Sequence, residues 1–208
     1  MKSVKKTAIL VAAVFSISFA HAQVGIQAGY ANSKAVDADR SLNGFYVGPS
    51  YKMSIQGPIS LQYSLFYNYL TASTEAFYGG LSTTSTTTAH RLDLPVRLNV
   101  DLPLMIGVKA FVFGGPDFNY AISQTTKGTA NWGPASGTVN GENIYSLEDS
   151  NGKKIYNPFD VQLGIGAGIQ FNKMSLRVSY DWGLIDRDNT DNGVWKNNDL
   201  KIGIGYEL

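Results

Sequence analysis

The sequence contains no cysteine, and this absence removes several classes of chemistry. Disulfides, thiol nucleophiles, cysteine zinc sites and a lipid-modified N-terminal cysteine are all excluded. Histidine is nearly absent as well, since only His21 and His90 occur. A histidine-based metal cluster is therefore excluded, and we expect neither a metal site nor a cofactor.

An excess of charge of either sign is also lacking, because the formal net charge is +1. Without a basic patch, the sequence argues against a nucleic-acid partner. A hydrolytic site would have to use His90, with Asp93 or Ser85 nearby, and no Gly-x-Ser-x-Gly elbow accompanies it. We therefore expect no enzymatic activity. The alternative that stays open is a barrel-type enzyme that modifies lipids.

Long apolar runs are missing after residue 22, so no transmembrane helix is expected. At the N-terminus a short apolar run, residues 8–19, follows the basic residues Lys2, Lys5 and Lys6. The sequence Ala20-His21-Ala22 that comes next matches a signal-peptidase site. These features predict a signal peptide over residues 1–22, cleaved near Ala22. Residues 23–208 then form one domain.

What the sequence does contain is strict alternation of apolar and polar residues. Between Phe159 and Phe171 the odd-numbered residues are apolar and the even-numbered ones are polar or glycine. The same pattern returns from Ser175 to Trp182 after a connection of about three residues. A period of two predicts a β-strand with two different faces, and the short connection predicts an antiparallel hairpin.

The alternation recurs in eight segments and predicts eight strands. Their predicted ranges are 24–31, 44–53, 59–70, 91–100, 104–115, 159–171, 175–186 and 198–208. The connections alternate between long and short, with long loops at 32–43, 71–89, 116–158 and 187–196 and short turns such as 101–103. This asymmetry predicts an all-β, eight-stranded antiparallel up-and-down transmembrane barrel with long outside loops and short periplasmic turns.

A soluble lipocalin-like barrel also has eight strands, but its apolar face points inward. Two features favour apolar residues outside. Glycines are frequent on the polar faces, where they make room inside a narrow barrel. The charges on those faces nearly balance, as a buried interior requires. We predict a lumen ion-pair network that plugs the barrel, the alternative being an ion or proton pathway. Its predicted members are Lys52, Arg91, Asp93, Arg97, Lys109, Asp160, Arg177, Asp181, Asp199, Lys201 and Glu207.

Loops on a rigid scaffold commonly carry binding residues. The predicted loop 116–158 contains the aromatic residues Trp132, Tyr145 and Tyr156, and a Ser/Thr run occupies residues 82–88. We predict that these residues form a surface-recognition patch that stacks on sugars or anchors a partner. The alternative is that the aromatic residues lie at the membrane interface or fold over the barrel mouth.

Four short motifs carry a resemblance to a known family: 92–97 (LDLPVR), 111–116 (FVFGGP), 159–168 (FDVQLGIGAG) and 180–184 (YDWGL). With the order of segments, they resemble PorT-type outer-membrane β-barrels, the porin-like eight-stranded barrels of the outer-membrane protein A and X type. The final Leu208 departs from the terminal aromatic residue usual in such barrels.

The resemblance implies an integral barrel in the cell outer membrane of a Gram-negative bacterium and no catalytic residues. The expected partners are outer-membrane lipid, the barrel-insertion machinery and an unknown extracellular ligand or protein. We expect a structural or surface-binding role through the outside loops. The alternative is an accessory role in transport or secretion.

Overall fold

The computed structural model describes residues 22–36, 38–132, 135–190 and 194–208. The predicted signal peptide lies outside these residues, apart from Ala22. Ten strands and one short 3-10 helix are present in them: β1 Ala22–Ala35, β2 Ser41–Gln56, β3 Ile59–Ser64, β4 Phe66–Tyr78, β5 Leu81–Met105, β6 Val108–Trp132, β7 Ala135–Asn140, the 3-10 helix Ile144–Ser146, β8 Phe159–Phe171, β9 Met174–Gly183 and β10 Asn197–Glu207.

In that part of the chain, no helix combines the length and apolar character needed to cross a membrane.

The strands close into a ring in which every pairing is antiparallel. β3 and β4 are interrupted only at Leu65 and together form one barrel strand, between β2 and β5. The ring continues through β6, β8, β9 and β10 and closes where β10 pairs with β1. Eight strands therefore form the barrel, as predicted, and β7 is attached to β6 outside the ring.

Three two-residue turns connect strands at the end of the barrel where the described chain also begins and ends. They are Gly57-Pro58, Ile106-Gly107 and Asn172-Lys173, and Gly107 has a φ of 76° that favours glycine. The turn predicted at 101–103 is wrong, because β5 continues to Met105 and β6 begins at Val108. Pro103 is tolerated in the strand because the register shifts between Pro103 and Met105.

At the opposite end, three strands continue far beyond their predicted limits. The segment 71–89 is not a loop, because β4 reaches Tyr78 and β5 begins at Leu81 after the turn Gly79-Gly80. The segment 116–158 is not one long loop either, since β6 runs to Trp132 and β7 pairs back along it. Threonine suits strands well, so the Ser/Thr run that indicated a loop is a paired strand.

The polar faces point into the barrel and the apolar faces point out, as predicted. Outward-facing Ile165, Leu176 and Ile204 are 57, 52 and 57% exposed, whereas inward-facing Asp181 and Gln162 are fully buried. Glycine makes room inside, since a Cβ at Gly164 would collide with the Asp181 carboxylate, at Gly166 and Gly168 with the Phe113 and Phe111 rings, and at Gly203 with the Tyr46 hydroxyl. The lipocalin-like alternative is therefore wrong.

Aromatic side chains form two belts on the outer wall. Tyr51 and Tyr63 stack at 5.7 Å near the short turns, and Phe45 and Tyr69 stack at 5.6 Å near the other end. The partner of Tyr51 in β1, Val24, lies six residues before the partner of Phe45, Tyr30. The belts are thus about 20 Å apart along the strand, and aromatic belts of this kind flank the apolar band of outer-membrane barrels.

Candidate functional site

Seven charged side chains inside the barrel form a continuous chain of alternating sign, which we call the charge chain: Asp199, Arg91, Asp93, Lys201, Asp117, Arg97 and Asp181. Arg91 bridges Asp199 at 2.5 Å and Asp93 at 2.7 Å. Lys201 then bridges Asp93 at 2.7 Å and Asp117 at 3.0 Å. Arg97 completes the chain by contacting Asp117 at 3.5 Å and Asp181.

The charge chain joins opposite walls of the barrel. Arg91 and Asp93 lie on β5, whereas Asp199 and Lys201 lie on β10, which is four strands away in either direction around the ring. All seven residues are at most 5% exposed. Buried charges that each have an opposite partner avoid the large cost of an unpaired ion.

A second cluster lies towards the short turns. Lys52 and Lys109 share the carboxylate of Asp101, with distances of 2.8 and 2.9 Å. The sequence placed both lysines in one network with Arg91 and Lys201, but the structure separates them into this smaller, partly exposed cluster. Asp101 was missed because it was assigned to a turn.

Three predicted network members make no ion pair with any described residue. Glu207 instead accepts a hydrogen bond from the Gln170 amide at 2.7 Å. Asp160 has only a long contact with the Gln162 amide, at 3.5 Å, and its other oxygen has no partner in the described part of the chain. Arg177 packs its guanidinium against the rings of Phe111 and Phe113. For these three, the predicted ion pairing is wrong.

Asp117 is the member of the charge chain that the sequence analysis missed. It was assigned to a loop, because the strand was ended at Gly115. The alternation nevertheless continues through Phe118, Tyr120 and Ile122, which face outward and are 38, 53 and 47% exposed. That pattern could have extended the predicted strand, but the Gly-Gly-Pro sequence at 114–116 indicated that the strand ended there.

A cation–aromatic stack covers one side of the outer mouth. Arg187 is 2% exposed and its guanidinium lies 5.1 Å from the ring centres of both Tyr145 and Trp195. Arg187 also donates to the Tyr145 hydroxyl at 2.5 Å and to the Asn157 carbonyl at 3.1 Å. Burial raises the pKa of Tyr145, an effect that nearby Arg187 partly offsets. We call Arg187, Tyr145 and Trp195 the mouth stack.

The mouth stack changes the interpretation of the three predicted loop aromatics. Tyr145 is only 8% exposed, and Tyr156 is half-buried with its ring edge against Trp195 at 5.0 Å. These two residues therefore fold over the mouth, which is the alternative that the sequence left open. Trp132 is different, because it is 70% exposed at the end of β6.

Beyond the outer aromatic belt, parts of four strands form what we call the extension: residues 71–78 of β4, 81–90 of β5, 123–132 of β6, and β7. Its side chains are mainly hydroxylic, and Glu75 and Lys127 are its only acidic or basic residues other than His90. Hydroxyls pair across the strands, for example Thr87 with Thr126 at 3.0 Å and Ser73 with Thr86 at 2.9 Å.

The extension ends in an aromatic tip. Tyr78, Leu81 and Trp132 are direct cross-strand partners and therefore lie in one row on one face. On this face Tyr78 is 87% exposed and Trp132 is 70% exposed, and neighbouring Phe77, on the opposite face, is 78% exposed. Such a group of exposed large apolar side chains, carried on rigid strands, is a typical contact surface.

His90, the residue on which a hydrolytic reading depended, faces the outer wall. Its Nδ1 lies 2.5 Å from the Tyr67 hydroxyl, and its ring contacts Tyr69 edge-on at 5.4 Å. Asp93 faces the interior, where both carboxylate oxygens are bound by Arg91 and Lys201. The structure therefore does not bring His90 and Asp93 together.

A comparison with protein families decides the classification. The family model described as the outer membrane protein beta-barrel domain matches residues 7–189, which is most of the chain. The chain belongs to this family. An outer-membrane barrel sits in lipid, which agrees with the apolar outer wall and its aromatic belts.

Solved structures similar to this outer-membrane barrel are also barrels from bacterial outer membranes. Ail, the attachment invasion locus protein of Yersinia pestis, is 14% identical over 90% of this chain and 99% of its own, with a TM-score of 0.40. Neisserial surface protein A is 13% identical over 90% of this chain and 97% of its own, with a TM-score of 0.44. OprG from Pseudomonas aeruginosa is 10% identical over 90% of this chain and 96% of its own, also with a TM-score of 0.44. Because the identities are low and the TM-scores are below 0.5, no property of these proteins is carried over to this chain. Among curated proteins, none matches the chain.

Proposed function

We propose that this outer-membrane barrel is a non-enzymatic surface-binding protein. Its extension contacts a protein or polysaccharide outside the cell, and its interior is closed. The observation that carries the proposal is the aromatic tip, in which Tyr78 and Trp132 stand almost fully exposed on paired strands. Aromatic side chains offer a large contact area with few rotatable bonds, which suits them to binding.

The packing of the interior supports a closed barrel. The charge chain spans the lumen from β5 to β10, and the interior contains two cavities of about 30 Å³ each in the described structure. A cavity of that volume holds roughly one or two water molecules. Eight strands also enclose a space that side chains can fill.

The surface chemistry of the extension supports binding outside the membrane. Its threonine and serine residues are partly or fully exposed, their hydroxyls can donate and accept hydrogen bonds, and the extension carries few charges. Stacking on sugar rings or packing against a protein surface both use such a combination of aromatic and hydroxylic groups. The finer role is therefore assigned to the extension rather than to the predicted loop residues Tyr145 and Tyr156.

Site-specific photo-crosslinking in intact cells tests the proposal. A photoreactive amino acid would replace Tyr78 or Trp132 in the full chain and, as the matched control, Ile106 in a short periplasmic turn, which is also fully exposed. We expect discrete adducts with an extracellular protein or polysaccharide from positions 78 and 132. Lack of adducts from both tip positions, or the same adducts from position 106, would contradict surface binding by the tip.

A second candidate, the alternative of an accessory role in transport or secretion, is favoured by the free edge of β7. This strand pairs with β6 on one side and has no strand on its other side among the described residues. It also contains no charged residue to discourage pairing with a further strand. In this role, partner subunits co-purify with the wild type and are lost with Thr138→Lys. If the same subunits co-purify equally with the wild type and with Thr138→Lys, the edge of β7 does not support this role.

A further inference from the structure

Arg177 lies inside the barrel but, unlike Arg91 and Arg97, does not belong to the charge chain. It is 9% exposed, and its guanidinium lies 4.6 Å from the ring centre of Phe113 and 5.6 Å from that of Phe111. No carboxylate pairs with it among the described residues. The aromatic faces stabilise a cation, but they accept none of the hydrogen bonds that five guanidinium N–H groups offer.

The two interior cavities meet at this residue. Arg177, Gln27 and Gln62 line both of them, so the arginine lies between the two spaces. The one nearer the charge chain, which we call the inner cavity, is also lined by Tyr46 and Phe113. The other reaches Gln23 and Glu207 near the short turns and thus leads towards the periplasmic end.

Two further donors that line the inner cavity have no hydrogen-bond partner among the described residues. The side-chain amide of Gln27 and the hydroxyl of Tyr46 belong to residues that are only 6 and 2% exposed. The absence of a side chain at Gly203 leaves the space that the Tyr46 hydroxyl occupies. These two donors and the Arg177 guanidinium line the inner cavity, so an acceptor inside it would satisfy all three.

The charges around the inner cavity favour a negative acceptor. Arg97 and Lys201 also line it, and Asp117 is the only carboxylate that does so. One Asp117 oxygen is already shared between Lys201 at 3.0 Å and Arg97 at 3.5 Å. The other Asp117 oxygen has no partner in the described part of the chain. The three cations Arg97, Arg177 and Lys201 nevertheless outnumber this one carboxylate around the inner cavity, and no described carboxylate binds the Arg177 guanidinium.

We propose that the inner cavity binds one small inorganic anion, of about the size of chloride. Arg177 supplies the charge, and Tyr46 and Gln27 donate hydrogen bonds to the ion. The cavity volume of about 30 Å³ holds roughly one or two water molecules, which suits a small ion. The ion enters from the periplasmic end. This proposal is independent of whether the extension binds a partner.

The test combines bromide crystallography with thermal unfolding of the full barrel in detergent. In crystals grown in sodium bromide, we expect an anomalous peak within hydrogen-bonding distance of the Arg177 guanidinium. In solution, sodium chloride should raise the melting temperature by roughly 2–4 °C above that in sodium gluconate at the same ionic strength.

Three variants test whether the bromide peak and the chloride shift arise from the inner cavity. Arg177→Gln should abolish both the bromide peak and the chloride shift, and Tyr46→Phe should reduce the shift. Lys109→Gln removes a cation of the separate cluster around Asp101, so it should retain both the bromide peak and the chloride shift. If Arg177→Gln does not fold, the bromide peak in the wild type and the chloride shift of Tyr46→Phe still test the proposal. A cavity that holds water alone, with equal melting in chloride and gluconate, would overturn the proposal.

Discussion

The barrel interior and the extension are built on the same two long strands, β5 and β6, yet they are opposites in side-chain chemistry. Inside, β5 contributes Arg91, Asp93 and Arg97, which are at most 5% exposed and paired with opposite charges. Outside, the same strand carries a Ser/Thr run that is largely accessible. β5 and β6 pair through both regions, with a register shift between His90 and Arg91 where the two regions meet.

This comparison indicates where the protein tolerates change. In the interior, removal of one charge takes an opposite charge away from each buried neighbour, which is costly. In the extension, a substitution should change the free energy of unfolding little, because the side chain contacts water in the folded protein as well as in the unfolded one. We infer that the interior maintains the scaffold and that the extension is free to carry recognition.

The largest expected effect follows removal of a shared carboxylate in the charge chain. Asp93→Ala deprives both Arg91 and Lys201 of a partner. We expect the free energy of unfolding to fall by about 3–5 kcal/mol, measured by urea unfolding of the barrel in lipid vesicles. The control is Glu148→Ala, which breaks a half-exposed ion pair with Lys154 and should cost no more than about 1 kcal/mol. Equal effects of the two changes would remove the distinction between interior and exterior.

The next effect concerns the mouth stack. Arg187→Met removes the cation between Tyr145 and Trp195 together with its hydrogen bond to the Asn157 carbonyl. We expect local opening of the segment 141–158, so that trypsin cleaves at Lys153 or Lys154 roughly tenfold faster while the barrel stays folded. Arg187→Lys should behave almost the same, because lysine keeps the charge but not the planar stacking. Unchanged cleavage in both variants would show that the stack does not hold this segment.

A smaller effect on stability is expected at the aromatic tip. Replacing Phe77, Tyr78 and Trp132 together by serine should change the free energy of unfolding by no more than about 0.5 kcal/mol per residue. The same change should abolish the extracellular adducts of a photoreactive group placed at Val139, which is 74% exposed on neighbouring β7. Strong destabilisation by the triple change would mean that the tip packs against another part of the protein.

The smallest effect is the response of an outer loop to acid. The Asp186 carboxylate accepts hydrogen bonds from the backbone N–H groups of Trp195 at 2.8 Å and Asp188 at 3.0 Å, which lower its pKa below 3.8. Because the pKa is lower in the folded than in the unfolded state, the stabilisation is complete above about pH 4 and is lost as the pH falls through the folded value. The amide resonances of Asp188 and Trp195 should titrate below pH 3.8 in the wild type and not in Asp186→Asn. A midpoint above 3.8 would contradict this assignment.

The sequence alone predicted the barrel well, because alternation over eight segments specifies both the strands and their inward faces. It predicted strand ends poorly. The run 82–88 indicated a loop since serine and threonine are polar, but polarity does not distinguish a loop from a solvated strand that pairs on both sides. The extension, which is the main part of the proposed site, was therefore assigned to loops.

The interior network was predicted only in part, for a related reason. Alternation shows which residues face inward, and it correctly placed Arg91, Asp93, Arg97, Asp181 and Lys201 inside. It does not show how far along the barrel each residue lies. Which charges meet depends on the strand register, and that is why Lys52 and Lys109 pair with Asp101 while Arg177 meets two phenylalanine rings.

Single-channel recording in planar lipid bilayers tests the central claim most directly, namely that the interior is closed and supports the extension. The purified barrel would be recorded in concentrated potassium chloride beside a known porin and the Asp93→Ala variant. We predict no stable channel from the wild type and brief openings from the variant, because the link between β5 and β10 is weakened. A stable, well-defined conductance from the wild type would contradict the account and favour a transport function.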